Sequence, residues 1–539
     1  MNTKTWTAKH DRTLTPDDEA QLLRLIQEAA GLSPFEPEDM ARLLRKYTRA
    51  RGQFAKDQIV AAYNKFCGDG RLTFDRETLR RLQMKPVRTL SGVATVTVLT
   101  KPFPCPGECI FCPTDVRMPK SYLADEPGAI RAEYHQFDPY ETTASRLRAL
   151  ENIGHPTDKI ELLILGGTWS YYPHDYQEWF IRRCLDALNG ALADSDSLEE
   201  AQNINATAAH RNVGLVIETR PDYVDADEVR RLRRYGVTKV QLGAQSLDDH
   251  ILDLNKRGHT VEQTRQAVKL LRAAGFKLHL HWMPNLLGAT PESDLADFEK
   301  LWSDPGLRPD ELKIYPCSLV REAELVRWWE RGEYRPYTDD ELVRLLAECK
   351  VRTPKYVRLN RIIRDIPAGH VVAGSTASNL REVVKRKLKE EGRECQCIRC
   401  REVRGERVRG SRWAGVMEYE TTGGRELFLS VDTDTGKLAG FLRLSLPTPD
   451  ATASTGIEEL RDAAIIREVH VYGPVVRIGE AAEGEAQHLG LGTQLIREAE
   501  RRASEAGYKR LVVISAIGTR EYYRKQGFER GELYMAKEL

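Results

Sequence analysis

The sequence is poor in several things, and each shortage closes off a class. No stretch approaches the roughly 18 consecutive apolar residues of a membrane-spanning helix. The opening Met1-Asn2-Thr3-Lys4-Thr5-Trp6-Thr7 lacks the apolar centre of a signal peptide. Net charge is only +1, so no polyanion is drawn by overall charge. Ten cysteines in 539 residues do not make a disulfide scaffold. Six of them fall in two tight groups, a pattern of metal binding in a reducing, cytoplasmic setting. What remains is ordinary globular composition, 41% hydrophobic and 30% charged, over a length that predicts two to four domains.

The first group, Cys105-Pro106-Gly107-Glu108-Cys109-Ile110-Phe111-Cys112, spaces three thiols with no fourth nearby. A closed zinc site takes four ligands. Three cysteines on a 4Fe–4S cluster leave one iron open, and soft thiolates favour such clusters. A zinc knuckle or unrelated thiols are the alternatives. Pro102, Pro104 and Pro113 predict a loop, directly after a strand at 93–99. The spacing resembles the radical S-adenosylmethionine family. That resemblance implies an open iron chelating the methionine part of S-adenosylmethionine, whose one-electron cleavage yields a 5′-deoxyadenosyl radical.

Charge is uneven along the chain. Arg42, Arg45, Lys46, Arg49, Arg51 and Lys56 run without an acid among them, followed by Arg71, Arg76, Arg80, Arg81, Lys85 and Arg88. Residues 381–412 hold twelve Lys/Arg against six Asp/Glu. Such patches could neutralise the phosphates of a nucleic acid or simply face water. Thr15-Pro16-Asp17-Asp18-Glu19 reads as a capped helix start, with further helices at 36–49 and 53–67.

From about 90 to 380, strands at 93–99, 160–165, 213–218, 238–243, 276–282 and 311–315 alternate with helical runs. This predicts a parallel α/β sheet or partial barrel, with ligands at the carboxyl ends of strands. Those ends read Gly166-Gly167-Thr168, Glu218-Thr219-Arg220-Pro221, Gly243-Ala244-Gln245-Ser246 and His281-Trp282-Met283-Pro284. In the radical family the glycine turn contacts the methionine amino group. Thr168 stands where an acid is frequent, so its carbonyl is the expected contact, with Glu218 and Gln245 as further cofactor ligands.

The second group, Cys395-Gln396-Cys397-Ile398-Arg399-Cys400, resembles part of a zinc site. Cys317 is the expected fourth ligand, with Cys349, a histidine or water as alternatives. Zinc would staple this basic linker to the barrel; unpaired thiols on a charged loop are the other reading.

Residues 411–539 change character: a hairpin at 428–444, a strand at 465–472, then Gln487-His488-Leu489-Gly490-Leu491-Gly492-Thr493 opening a helix, a strand at 510–516 and a helix near 519–525. Glycines at a helix start expose backbone N–H groups to a pyrophosphate. In this order the elements resemble the GNAT acetyltransferase fold. That implies acetyl-CoA on residues 487–493, its thioester along Glu468-Val469-His470-Val471, and Tyr522 or Tyr523 as acid for the departing thiolate. Two core-packing tyrosines are the alternative.

The strings Glu218-Thr219-Arg220-Pro221-Asp222-Tyr223, Arg257-Gly258-His259-Thr260, Arg467-Glu468-Val469-His470-Val471-Tyr472-Gly473 and Gly518-Thr519-Arg520-Glu521-Tyr522-Tyr523-Arg524 are similar to the family of the catalytic subunit of Elongator. The resemblance covers 85–539. It implies an α/β multidomain protein: a basic helical tRNA-binding region (1–84), a partial (β/α) radical barrel (85–380), a basic zinc-binding linker (381–410) and a mixed α/β GNAT domain (411–539). It further implies conversion of the wobble uridine of tRNA to 5-carboxymethyluridine, with Arg42, Arg45, Lys46, Arg49, Arg51, Lys56, Arg80, Arg81 and Lys85 on the tRNA. Lys159 matches a lysine that the family assigns to acetyl-CoA, and is expected to shelter acetate or the thioester near the radical site. A stand-alone form without accessory subunits is expected, served by an unidentified electron donor. A protein lysine acetyltransferase with a structural iron–sulfur domain, and a non-catalytic RNA-binding scaffold, are the rival readings.

Overall fold

The computed structural model describes residues 14–49, 52–83, 89, 91–190, 193–364, 366–377, 379–403, 411–472 and 490–539. The chain divides into two units, residues 1–94 with 145–157, and residues 95–144 with 158–539.

The first unit is helical: α1 (Pro16–Gly31), α2 (Pro37–Lys46), α3 (Lys56–Gly68) and α4 (Arg76–Leu82). The start of α1 is a capping box. The Thr15 hydroxyl accepts from the Asp18 N–H at 3.1 Å, and the Asp18 carboxylate accepts from the Thr15 N–H at 3.0 Å. Leu22, Leu25, Ile26, Leu43, Ile59, Tyr63, Phe66 and Leu82 close its core. Burial of each is worth roughly 1.5–3 kcal/mol.

The basic residues of this unit differ in what they are free to do. Arg45 is exposed. Arg42 pairs with Asp39 at 2.8 Å and Lys46 with Glu28 at 2.6 Å, both more than half exposed. Exposed pairs of this kind are weak enough to be exchanged for a phosphate. Arg80 lies 3.9 Å from Glu77. Arg81 corrects the expectation of a phosphate contact: its Nη1 donates to the carbonyls of Ala29, Ala30 and Leu32 at 2.9, 3.0 and 2.7 Å, capping the end of α1. Arg51 and Lys85 lie outside the described residues, as do the side chains of Arg49 and Lys56.

In the second unit seven strands form one sheet: β1 (Ala94–Leu99), β2 (Lys159–Leu165), β3 (Arg211–Thr219), β4 (Lys239–Gln245), β5 (Lys277–Trp282), β6 (Glu311–Ile314) and β7 (Arg358–Arg361). They lie side by side in chain order, and the ladders from β2 to β7 are parallel. Helices such as α5 (His174–Asn189) connect them, as in an open (β/α) barrel.

A second seven-stranded sheet holds β8 (Ser411–Thr421), β9 (Gly424–Thr433), β10 (Leu438–Pro447), β11 (Ala463–Val471), β12 (Arg510–Val513), β13 (Glu529–Arg530) and β14 (Met535–Glu538). All its pairs are antiparallel except β11 with β12. Helices α6 (Leu491–Glu505) and α7 (Arg520–Arg524) flank it.

Buried ion pairs bolt this sheet to the amino ends of the barrel strands. Arg467 binds Asp310 and, at 2.7 Å, Glu426, with all three side chains almost fully buried. Lys277 bridges Glu311 at 2.6 Å and Glu468 at 2.5 Å. Burial opposes the charge on Asp310, but Arg467, Arg443 and Arg272 outweigh it and hold the carboxyl at about 2. Among the described residues no helix is long and apolar enough to cross a membrane.

Candidate functional site

The cysteine loop leaves the carboxyl end of β1 and is pinned by backbone bonds. The Ile110 N–H donates to the Asn255 carbonyl at 3.2 Å, and the Ile110 carbonyl accepts from Leu325 at 2.8 Å. Beside it the β2 turn needs its glycine: Gly166 has φ +144°, and a Cβ there would lie 1.7 Å from the Thr100 hydroxyl.

Cations face the thiols. Arg257 Nη1 donates to Cys109 Sγ at 3.6 Å, and its Nη2 to the Gly243 carbonyl at 2.7 Å. Arg220 is held by Asp222 at 2.8 Å, while its Nη1, buried, finds no hydrogen-bond partner among the described residues. His259 is buried beside both arginines; burial first, then Arg257 and Arg220, drive it down to about 2, so it stays neutral. Burial, and then the neighbouring Cys109, push the Cys112 thiol up to about 12. A bound metal centre removes that cost by taking the thiolate directly.

The expected cofactor ligands ring this loop. Gln245 ends β4 in the left-handed region, φ +67°, a conformation that non-glycine residues adopt mostly at special sites. Its Oε1 is buried without a partner among the described residues. Glu218, the last residue but one of β3, has its Oε1 3.5 Å from His281 Nδ1, and burial raises its carboxyl pKa. The Thr168 carbonyl accepts from the Tyr171 N–H at 3.1 Å, which leaves its second lone pair for a ligand, and its hydroxyl lies 3.6 Å from Cys105 Sγ. Arg220, Arg257 and His259 were not singled out as site residues in the sequence. Their signal there was a place in two of the family-like strings, Glu218–Tyr223 and Arg257–Thr260, which did not tell which side chains face the thiols.

The second cysteine group is tighter. Cys395, Cys397 and Cys400 bring their sulfurs within 4.8 Å of one another, the one such group of three among the described residues. Tetrahedral zinc thiolates stand about 3.8 Å apart, so this triple is near single-ion geometry and the loop triple is wider. Cys317 is corrected as fourth ligand. It sits in a separate apolar cluster with Ile110, Leu286, Leu319 and Tyr334. Lys350 Nζ, 3.8 Å from Cys400 Sγ, offers that group a positive charge instead.

Lys159 is also corrected. It is the first residue of β2, so the strand carries it roughly 20 Å from the glycine turn at the other end. It pairs in register with Arg211, against which Gly518, in the short 3-10 turn Ile517–Thr519 after β12, packs. Burial lowers its pKa.

In the second sheet β11 and β12 pair only from Ala463↔Arg510 to Ile466↔Val513. Beyond that, β11 continues through Glu468, Val469, His470 and Val471 without β12 beside it, a strand edge that no strand pairs among the described residues. Helix α6 begins next to this opening. Gly490 has φ +67°, and a Cβ on Gly492 would lie 2.6 Å from the Tyr522 hydroxyl. Tyr522 is 40% exposed, at Thr493 and Gly492, whereas Tyr523 is buried against Phe528. Gln487 lies outside the described residues.

Three family profiles match the chain: the radical SAM superfamily at 104–299, the Radical_SAM C-terminal domain at 309–390 and the acetyltransferase (GNAT) family at 399–528. A tRNA uridine(34) acetyltransferase of Dehalococcoides mccartyi is 44% identical over 458 residues, 84% of this chain and 99% of that protein. The chain belongs to the family of tRNA uridine(34) acetyltransferases and Elongator complex protein 3. The Danio rerio Elongator complex protein 3 is 36% identical over 86% of this chain and 87% of its own length. The structure of archaeal Methanocaldococcus infernus Elp3 with an N-terminal deletion superposes with a TM-score of 0.72 at 40% identity, covering 83% of this chain and all of that one. Family membership accounts for the radical barrel and the GNAT sheet in one chain.

Proposed function

We propose that this protein modifies the wobble uridine of tRNA, drawing a two-carbon unit from acetyl-CoA and leaving a carboxymethyl group at C5. The observation that carries this is the union, in one compact unit, of an open thiol triple ringed by unpaired polar groups and a parted β11/β12 pair facing a glycine helix start. The names of its relatives supply the target.

Cys105, Cys109 and Cys112 are the residues that would hold a 4Fe–4S cluster. Once bound, it would supply one-electron cleavage of S-adenosylmethionine; the 5′-deoxyadenosyl radical would take a hydrogen atom from the acetyl methyl, the resulting carbon would add to uracil C5, loss of the C5 proton and one electron would restore the ring, and water would cleave the thioester to release CoA and leave the carboxylate. Arg257 and Arg220 offset the thiolate charge. Gln245 Oε1 and Glu218, with the backbone of Gly166, Gly167 and Thr168, offer acceptors to the methionine ammonium group. Gly490, Leu491, Gly492 and Thr493, with Gln487, would cradle the CoA pyrophosphate. The free edge of Glu468–Val471 would take the pantetheine amides. Tyr522 is the proposed proton donor to the thiolate, because its hydroxyl stands at the helix start; Tyr523 supports its ring. Cys395, Cys397 and Cys400 would hold a structural zinc. The exposed Arg42, Arg45 and Lys46 would contact tRNA phosphates. The protein would act in the cytoplasm without accessory subunits, fed by an external electron donor.

The test is anaerobic incubation of reconstituted protein with tRNA, acetyl-CoA, S-adenosylmethionine and reductant, followed by nucleoside mass spectrometry. The expected product is 5-carboxymethyluridine, absent when any component is omitted. Unmodified tRNA from cluster-loaded protein would refute the reading. Acetylation of protein lysines without RNA would favour the protein acetyltransferase.

A further inference from the structure

Six aromatic rings run along the mouth of the cysteine-loop site. Tyr223, Tyr171, Phe103, Tyr172, Tyr176 and Trp179 follow one another with centroids 5.6, 6.1, 4.8, 5.3 and 5.6 Å apart. They come from the segments after β1, β2 and β3 and from the first turns of α5.

The row is anchored at its middle. Tyr172 is buried, and its hydroxyl lies 2.8 Å from the Lys101 carbonyl and 2.9 Å from that of Gly166, tying the rings to the glycine turn. Two other rings are open to solvent: Tyr171, next to Tyr223, is 40% exposed, and Trp179, at the far end, 38%. Core packing explains Tyr172 but gives no reason for large rings at the two exposed positions.

Trp179 and Tyr176 also line a cleft of about 520 Å³, with Tyr134, 77% exposed, among its walls. Lys101 stands over the Tyr176 ring at 4.6 Å and has no carboxylate within ion-pair distance among the described residues. Asp138 and Glu141 line the same cleft. The charges thus divide the space: a phosphate is repelled by the acids and attracted to Lys101, while a neutral base is not excluded from the rings.

We propose that this row is a stacking track for the unpaired RNA bases next to the target nucleotide, with a backbone phosphate at Lys101. The proposal rests on the wobble-uridine reading. Single-stranded bases are recognised by stacking on aromatic faces, and a target base must be splayed from its neighbours to be reached. A preformed track would hold those neighbours while the target enters the site.

The test uses the full chain without cofactors and an anticodon stem-loop RNA carrying 2-aminopurine on the 3′ side of the wobble uridine. Wild-type protein is expected to bind and quench the probe. Tyr171→Ala with Trp179→Ala should weaken binding roughly tenfold or more and restore fluorescence, while Tyr171→Phe with Trp179→Phe keeps both. Lys101→Gln should lower the salt slope of binding by about one, a check independent of the aromatic variants. Unchanged affinity and quenching in the alanine variant, with wild type binding normally, would overturn the track alone. Failure of wild type to bind the stem-loop would overturn the tRNA reading and the track with it.

Discussion

Two cysteine triples of similar sequence density meet different fates in this molecule. Cys395, Cys397 and Cys400 converge to within 4.8 Å, a lysine beside them. Cys105, Cys109 and Cys112 stay wider apart, near Arg257, Arg220 and Gln245, of which Arg220 Nη1 and Gln245 Oε1 are buried without a partner among the described residues. The closed triple suits an ion that holds a linker, and the wider triple suits a larger centre with something still to bind. Spacing along a chain does not distinguish these; the groups that face the sulfurs do.

The sharpest way to break the comparison is one alanine in each triple. Cys109→Ala should reduce 5′-deoxyadenosine and modified nucleoside to background, as read by mass spectrometry. Cys397→Ala should leave 5′-deoxyadenosine formation within a few-fold of wild type and lose bound zinc. Equal losses in both would erase the distinction.

The next effect is one of stability. Asp310→Ala leaves Arg467 and Arg443 buried without their shared carboxylate. Arg467 keeps Glu426 and Arg443 keeps Glu468, so the change should cost about 3 kcal/mol in urea unfolding, the low end for removing one partner from a buried ion pair. A loss below about 1 kcal/mol would mean that the barrel and the second sheet do not depend on this bolt.

A smaller change sharpens the open triple. Arg257→Met removes the donor to Cys109 and to the Gly243 carbonyl while keeping bulk. Iron retention or S-adenosylmethionine affinity should fall roughly 10- to 100-fold, as for other groups that orient metal ligands, measured by iron titration and equilibrium binding.

Much of this was legible beforehand, and the reasons differ by residue. The strand ends were readable because parallel strands buried on both faces are apolar runs with abrupt polar ends. The glycine turn and the α6 start were readable because only glycine serves there. Arg220, Arg257 and His259 were not, since a loop residue carries no periodicity to show which way it faces. Cys317 misled because proximity of thiols in space is set by tertiary packing, and an apolar cluster claimed it. Lys159 misled through direction: it shares a strand with the glycine turn but occupies the opposite end. Arg81 misled because charge alone does not separate a helix cap from a phosphate contact.

The smallest effect separates the basic helices from both triples. Arg45→Ala with Lys46→Ala should weaken tRNA binding without changing which tRNA is preferred, and lower the salt slope by about two. A change in preference with an unchanged slope would assign them another role.

The central claim is that the first triple carries a centre with a free coordination position. Electron paramagnetic resonance of the reduced, reconstituted protein tests it most directly. The account predicts an iron–sulfur signal that shifts on adding S-adenosylmethionine, vanishes in Cys109→Ala and persists in Cys397→Ala. A signal indifferent to S-adenosylmethionine, or one that survives in Cys109→Ala, would contradict it.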